Sequence, residues 1–159
     1  MIAAPGTVAA DNAAPQSASQ LVNDAELPAS ENQELAILES FLDEASEVLQ
    51  NVQILLAQAR AQPYERAFFA SIASCFATLK VRGRLVGLNK LGEVAWNVER
   101  ALDAWLKQAE GDNVLALEML TLAIKDFGGW IASIKEQGVA RIVAHDLNQL
   151  AAQLENAGA

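Results

Sequence analysis

Cysteine and histidine each occur once, as Cys75 and His145. This excludes a disulfide framework and argues against a Cys/His metal site. A single cysteine inside an apolar run reads as a small buried hydrophobe. Lysine and arginine are missing altogether before Arg60. The N-terminus therefore lacks the basic residues that precede the apolar run of a secretory signal. No stretch reaches the about 18 consecutive apolar residues of a membrane span. The expectation is a soluble cytoplasmic protein, or a soluble part of a longer one, that does not enter a membrane. No segment alternates apolar and polar residues between turn signals, as a half-buried strand does. A Walker-type phosphate loop and an HExxH pair are both lacking. Glu93 and Glu99 stand six apart, so on a helix they do not share a face for acid–base work. No cofactor, metal or catalytic residue is expected.

What is present is a chain of 159 residues, 52% of them hydrophobic. That is enough for one domain with a packed core and too little for two ordinary ones. Eleven bases against twenty acids give a net charge of −9, which argues against nucleic acid as a partner. The charge is unevenly placed. Nine acids precede Arg60: Asp11, Asp24, Glu26, Glu31, Glu34, Glu39, Asp43, Glu44 and Glu47. The other eleven acids balance the eleven bases. Between residues 60 and 90 lie Arg60, Arg66, Lys80, Arg82, Arg84 and Lys90 against Glu65 alone, a local excess of five positive charges. A basic patch on an acidic protein suits an acidic protein partner better than DNA, which the remaining surface repels.

Residues 1–29 read as a disordered tail or linker. They hold Pro5, Pro15 and Pro28 with many Ala, Ser and Asn and no aromatic residue, too little apolar area to offset ordering entropy. From 30 to 157 everything reads as helix. Ser30 and Gln33 have capping-box spacing. Leu35, Leu38, Leu42, Ala45, Leu49, Val52, Leu56 and Ala59 then form one stripe at steps of three and four, which Gln62-Pro63 ends. A second helix starts near Tyr64, carries Phe69, Ile72, Phe76 and Leu79, and stops at Gly87. A third begins at Asn89 and carries Leu91, Val94, Val98, Leu102 and Trp105. It breaks at Gly111-Asp112, with Asp112 as the next cap. The fourth carries Leu117, Leu120, Ile124, Phe127, Ile131 and Ile134 and ends at Gly138. Inside it Gly128-Gly129 points to a close helix approach or a kink. A last, weaker helix carries Val143, Leu147, Leu150 and Leu154. Trp96, Trp105 and Trp130 read as core or interhelical anchors. The fold class is all-α: an antiparallel, up-and-down four-helix bundle with an extra C-terminal helix.

Residues 76–87 read Phe-Ala-Thr-Leu-Lys-Val-Arg-Gly-Arg-Leu-Val-Gly. This resembles the signature of histidine-containing phosphotransfer (HPt) domains, close to Phe-His-Thr-Leu-Lys-Gly-Ser-Gly/Ala-Arg-x-Val-Gly. Phe76, Thr78, Leu79, Lys80, Gly83, Arg84, Val86 and Gly87 match. The continuation Leu91-Gly92-Glu93-Val94-Ala95-Trp96-Asn97-Val98-Glu99 and the stretch Phe41-Leu42-Asp43-Glu44-Ala45 also resemble HPt modules. The likeness is to those of chemotaxis-type histidine kinases in type IV pilus and twitching systems, and it covers roughly residues 31–107. Three positions depart from the pattern. Ala77 stands where the family has its phosphorylated histidine, Val81 where it has a glycine, and Arg82 where it has a small polar residue. Gly83 is the most telling match, since a glycine inside a helix costs about 1 kcal/mol without a packing reason.

On a helix, positions 77, 80, 81 and 84 share one face, and the inward stripe of Phe76 and Leu79 turns that face to solvent. A phosphoryl acceptor needs a nucleophilic atom, and the methyl of Ala77 has none. Lys80 keeps a cation near that position, while Val81 puts a branched side chain where close docking wants none. Thr78 is rotated about 100° off the face. His145 has Asn148 three residues on, where a lysine would be needed. The resemblance then implies a degenerate HPt domain in a two-component, chemosensory phosphorelay. It would not be an enzyme, and it would bind a response-regulator receiver domain or a kinase module through Ala77, Lys80, Val81, Arg82 and Arg84. Alternative readings are a structural spacer within a larger kinase, a phosphotransfer protein with an unusual acceptor, and a plain bundle.

Overall fold

The computed structural model describes residues 26–108 and 113–157, with the backbone alone over 26–32. The chain divides into two compact units, Met1–Ser40 and Phe41–Ala159. All regular structure among the described residues is helical: α1 Glu26–Ala61, α2 Ala67–Leu85, α3 Asn89–Leu106, α4 Asn113–Gln137 and α5 His145–Asn156. The tail expected over 1–29 lies outside the described residues up to 25. Its last residues belong to α1, which begins at Glu26 and not at Ser30. Pro28 is compatible with that start, because the first turn of a helix has no carbonyl for its N–H to reach. The break expected at Gly111-Asp112 also lies outside the described residues.

In the first unit, residues 33–40 are exposed or half-buried, and Leu35, expected on the apolar stripe, is 57% exposed. In the second unit the stripe of α1 is buried as expected: Leu42, Ala45, Leu49, Val52, Leu56 and Ala59, with Phe41 added. All four expected stripe residues of α2 and all five of α3 are buried. On α4 the buried set is wider than the expected one. Ala116, Met119, Ala123 and Trp130 join Leu120, Phe127, Ile131 and Ile134, while Leu117 and Ile124 are only half-buried. This helix is apolar on more than one face, so a single stripe underdetermines which side points inward. On α5 Leu147 and Leu154 are buried, Leu150 is half-buried, and Val143 lies exposed ahead of the helix.

Cross-helix pairs give the directions within the second unit. Glu44 meets Arg82 and Asn51 meets Cys75, so α1 and α2 run in opposite senses. Asp43 meets Lys135, and Arg60 donates to Thr121, so α1 and α4 also run oppositely. Lys80 meets Glu99 and Phe69 meets Trp105, which sets α2 against α3. α3 also packs on α4, and α5 packs on both. The core centre is aromatic. Phe76 meets Phe127 edge-on at 5.4 Å and Phe127 meets Trp130 at 5.0 Å, the edge-to-face geometry that ring quadrupoles favour.

Two turns fix where the helices stop. Gly87 and Gly138 both have positive φ, at 88° and 81°, a conformation that a Cβ disfavours. The Leu88 amide reaches back to the Gly83 carbonyl at 2.8 Å, closing the end of α2. At Gly128 and Gly129 an added Cβ meets nothing within 4 Å. Close helix approach is therefore not the reason for that pair.

Candidate functional site

The matched segment occupies the C-terminal half of α2, where inward and outward residues do separate work. Phe76, Leu79 and Gly83 are buried. A Cβ on Gly83 would sit 3.2 Å from Leu91 Cδ2, 3.6 Å from the Leu88 carbonyl and 3.7 Å from Phe41 Cζ. The missing side chain thus lets α1, α2 and the start of α3 meet. Gly92 does the same from α3, where a Cβ would lie 2.8 Å from Arg84 Cγ and 3.0 Å from the Lys80 carbonyl oxygen. Both glycines have the packing reason that a helix interior demands of them.

The outward face is less open than its sequence spacing suggests. Val81 is 52% exposed and Arg84 is exposed, while Ala77 and Lys80 are half-buried. Lys80 Nζ donates to Glu99 Oε1 at 2.7 Å. Arg82 Nη1 donates to Glu44 Oε1 at 2.9 Å. The positive excess counted along residues 60–90 is therefore partly neutralised by acids from α1 and α3. Arg66 is also committed internally: it donates to the Trp105 carbonyl at 2.7 Å and stacks over that ring at 4.2 Å. Among the described residues, Arg84 and Lys90 form no ion pair.

The hydroxyl of Thr78 donates to the Ser74 carbonyl at 3.2 Å, a back-bond within its own helix. His145 is exposed as the first residue of α5, and Asn148, three residues on, is engaged by Asn97 at 3.1 Å. Neither lies with Ala77 in a common site. Cys75 is half-buried; desolvation raises its thiol above the ordinary 9.0, against a lowering hydrogen bond from Asn51. No group of three or more His, Cys, Asp or Glu residues able to hold a metal ion occurs among the described residues. No helix among them is long and apolar enough to cross a membrane.

Sequence reasoning missed two features of this face. Trp96, expected as a core or interhelical anchor, is 41% exposed, whereas Trp105 and Trp130 are buried. Leu85 is 80% exposed one turn beyond Val81. The signal for Leu85 was available, since residues 77, 81 and 85 are spaced one turn apart. Trp96 gave none, because its neighbours Ala95 and Val98 carry the buried stripe on either side. The chain matches no protein-family model, and comparison with curated proteins and with solved structures finds none to which it is similar.

Proposed function

We propose that the chain is a degenerate HPt-like domain: an up-and-down four-helix bundle with an added C-terminal helix, serving as a non-catalytic interaction module in a chemosensory phosphorelay. Its partner is a receiver domain or a kinase module of that system, bound through Ala77, Lys80, Val81, Arg82 and Arg84. One observation carries the reading. The outward face of α2 offers a cation beside a methyl group, on a helix whose Gly83 is packed in register with the resembled signature. A face of this kind still attracts an acidic pocket, yet has no nucleophile to accept a phosphoryl group. Without the acceptor, the module performs no transfer of its own.

The test is calorimetric titration with a receiver domain from a chemosensory response regulator. The wild-type chain binds it, and the exposed pair Val81→Glu/Arg84→Glu weakens binding while helix content is unchanged. Equal affinity in both proteins removes this face from consideration. A second reading, a spacer domain of a larger kinase, is favoured by the ion pairs that already occupy Lys80 and Arg82. It predicts no receiver binding by the wild-type chain.

A further inference from the structure

We propose that the outward face of α4 pairs with the same face of a second copy of this chain, antiparallel, about a twofold axis between Thr121 and Leu122. The pairing uses no residue of the α2 face and is independent of the function proposed above. α4 gives Met119, Ala123, Phe127 and Trp130 to the core. On its opposite side Val114, Glu118, Thr121, Lys125, Gly128 and Ala132 follow steps of four and three, the spacing of a helix seam. All six are exposed except Gly128, which is half-buried. Val114 is 65% exposed. With the half-buried Leu117 and Leu122 it lines an open trough of about 420 Å³ beside Arg60.

Two features of this face have no explanation within one chain and find one in a second. Glu118 and Lys125 form no ion pair among the described residues, although Lys125 acts on its neighbour Asp126. They stand seven residues apart, about 10.5 Å along the axis, beyond the i+3 and i+4 neighbours that pair on one helix. Gly128 and Gly129 weaken a helix interior, yet inside the chain an added Cβ meets nothing within 4 Å at either. Turning a second α4 end over end about the midpoint of Thr121 and Leu122 sets Glu118 of each copy opposite Lys125 of the other. The same midpoint sets the exposed Val114 opposite Gly129. Charge and shape thus share one axis. A contact in which residue i meets j while j meets i is what an isologous dimer requires.

Self-complementarity identifies the occupant. Arg60, the other charge in the trough, already donates to Thr121. The face therefore offers one acid and one base, and no patch of a single sign. A partner of one charge would set like against like at Glu118 or at Lys125, whereas a second copy satisfies both. A single helix pair is a small contact, so the dimer is a transient one.

Sedimentation equilibrium of the full chain measures the pairing, with circular dichroism to confirm that each variant is folded. Wild type should dimerise reversibly as its concentration rises. Glu118→Lys and Lys125→Glu should each raise the dissociation constant about tenfold, since a twofold contact holds the affected pair twice. Combining the two reversals restores opposite charges across the axis and should return the constant to within about threefold of wild type. Gly129→Leu fills the place of Val114 and should abolish the dimer. Melts of the dilute monomer are blind to this contact, so stability gained by alanine at Gly129 is a separate readout. Wild type that stays monomeric up to about 1 mM overturns the proposal. A dimer indifferent to the single reversals, or to Gly129→Leu, overturns it as well. A double reversal that fails to restore the dimer overturns the antiparallel register.

Discussion

Replacing Gly92 by alanine probes the contact on which the α2–α3 face is built. The new Cβ would lie 2.8 Å from Arg84 Cγ, 3.4 Å from Arg84 Nε and 3.0 Å from the Lys80 carbonyl oxygen. Arg84 is exposed and can swing aside. The Lys80 carbonyl belongs to the backbone of α2, so relief there requires the two helices to separate. Overpacking a close contact costs about 1–3 kcal/mol, and alanine recovers about 1 kcal/mol of helix propensity. The net expectation is a loss of up to about 2 kcal/mol. Gly128 and Gly129 give the matched control: the same substitution meets no atom within 4 Å and should gain about 0.5–1 kcal/mol at each site. In a chain of this size each kcal/mol moves Tm by about 2–4 °C. Thermal and urea melts followed by far-ultraviolet circular dichroism therefore separate the variants by sign. Gly83→Ala should fall between them, because its tightest neighbour, at 3.2 Å, is the tip of a leucine side chain. If Gly92→Ala melts at or above wild type while Gly129→Ala rises, the close approach of α2 and α3 is wrong.

Three further outcomes follow from individual contacts. Desolvation raises the Asp126 carboxyl above its ordinary 3.8 against the pull of Lys125, and Asp146 pushes it the same way as burial. An acid whose folded pKa is raised contributes stability that is full below the unfolded value and lost as pH rises through the folded one. Asp126→Asn should thus melt above wild type at neutral pH, with the difference closing below pH 3.8; a gap that widens in acid would contradict this. Lys80 and Glu99 are only 20% and 19% exposed, against 55% and 38% for Arg82 and Glu44. Double-mutant cycles should give a coupling of about 0.5–1 kcal/mol for the first pair and about 0.3 kcal/mol or less for the second, with equal couplings refuting the distinction. Arg66→Ala should cost about 1–3 kcal/mol by losing both the Trp105 carbonyl and the ring. Arg66→Lys should restore less than half of that in urea melts, since an ammonium does not donate and stack in the same pose.

The parts of the fold that were legible in the sequence are those decided within one helix. Phe69, Ile72, Phe76 and Leu79 on α2, and Leu91 to Trp105 on α3, are buried where their spacing puts them. Gly87 and Gly138 end helices at positive φ, and a local backbone requirement of that kind is written in the residue itself. What the sequence hid depends on neighbours. Counting charge along residues 60–90 could not see that Glu44 and Glu99 would reach Arg82 and Lys80 from other helices. On α4, apolar residues surround the axis, so the packing of neighbouring helices decides that Met119 and Trp130 point inward while Leu117 and Ile124 are half-buried. The start of α1 went astray through the weight given to Ser30 and Pro28, because capping preferences are worth about 1 kcal/mol and continuation of a helix can override them.

The twelve positions that resemble the signature divide their duties, and under the function proposed above that division makes an acceptor easy to install. Phe76, Leu79 and Gly83 build the contact with neighbouring helices, while Ala77, Val81 and Arg84 contribute mostly to the surface. Changing the outward residues costs the fold little. Ala77→His with Val81→Gly should then supply an acceptor, at a cost in stability of about 1 kcal/mol for the helical glycine. Phosphoramidate is the direct donor: its P–N bond breaks, ammonia leaves, and an imidazole nitrogen of residue 77 takes the phosphoryl group. In a His145→Asn background, which removes the exposed imidazole at the start of α5, the double variant should acquire an acid-labile, base-stable phosphate that the same chain with Ala77 does not. Lys80 is the cation placed to steady that phosphate, but Glu99 holds its ammonium at 2.7 Å. Adding Glu99→Gln releases it, so uptake in the triple variant should be faster than in the double. A folded double variant that stays unphosphorylated would mean that this face never had an acceptor's geometry. Equal rates with and without Glu99→Gln would remove Lys80 from the role.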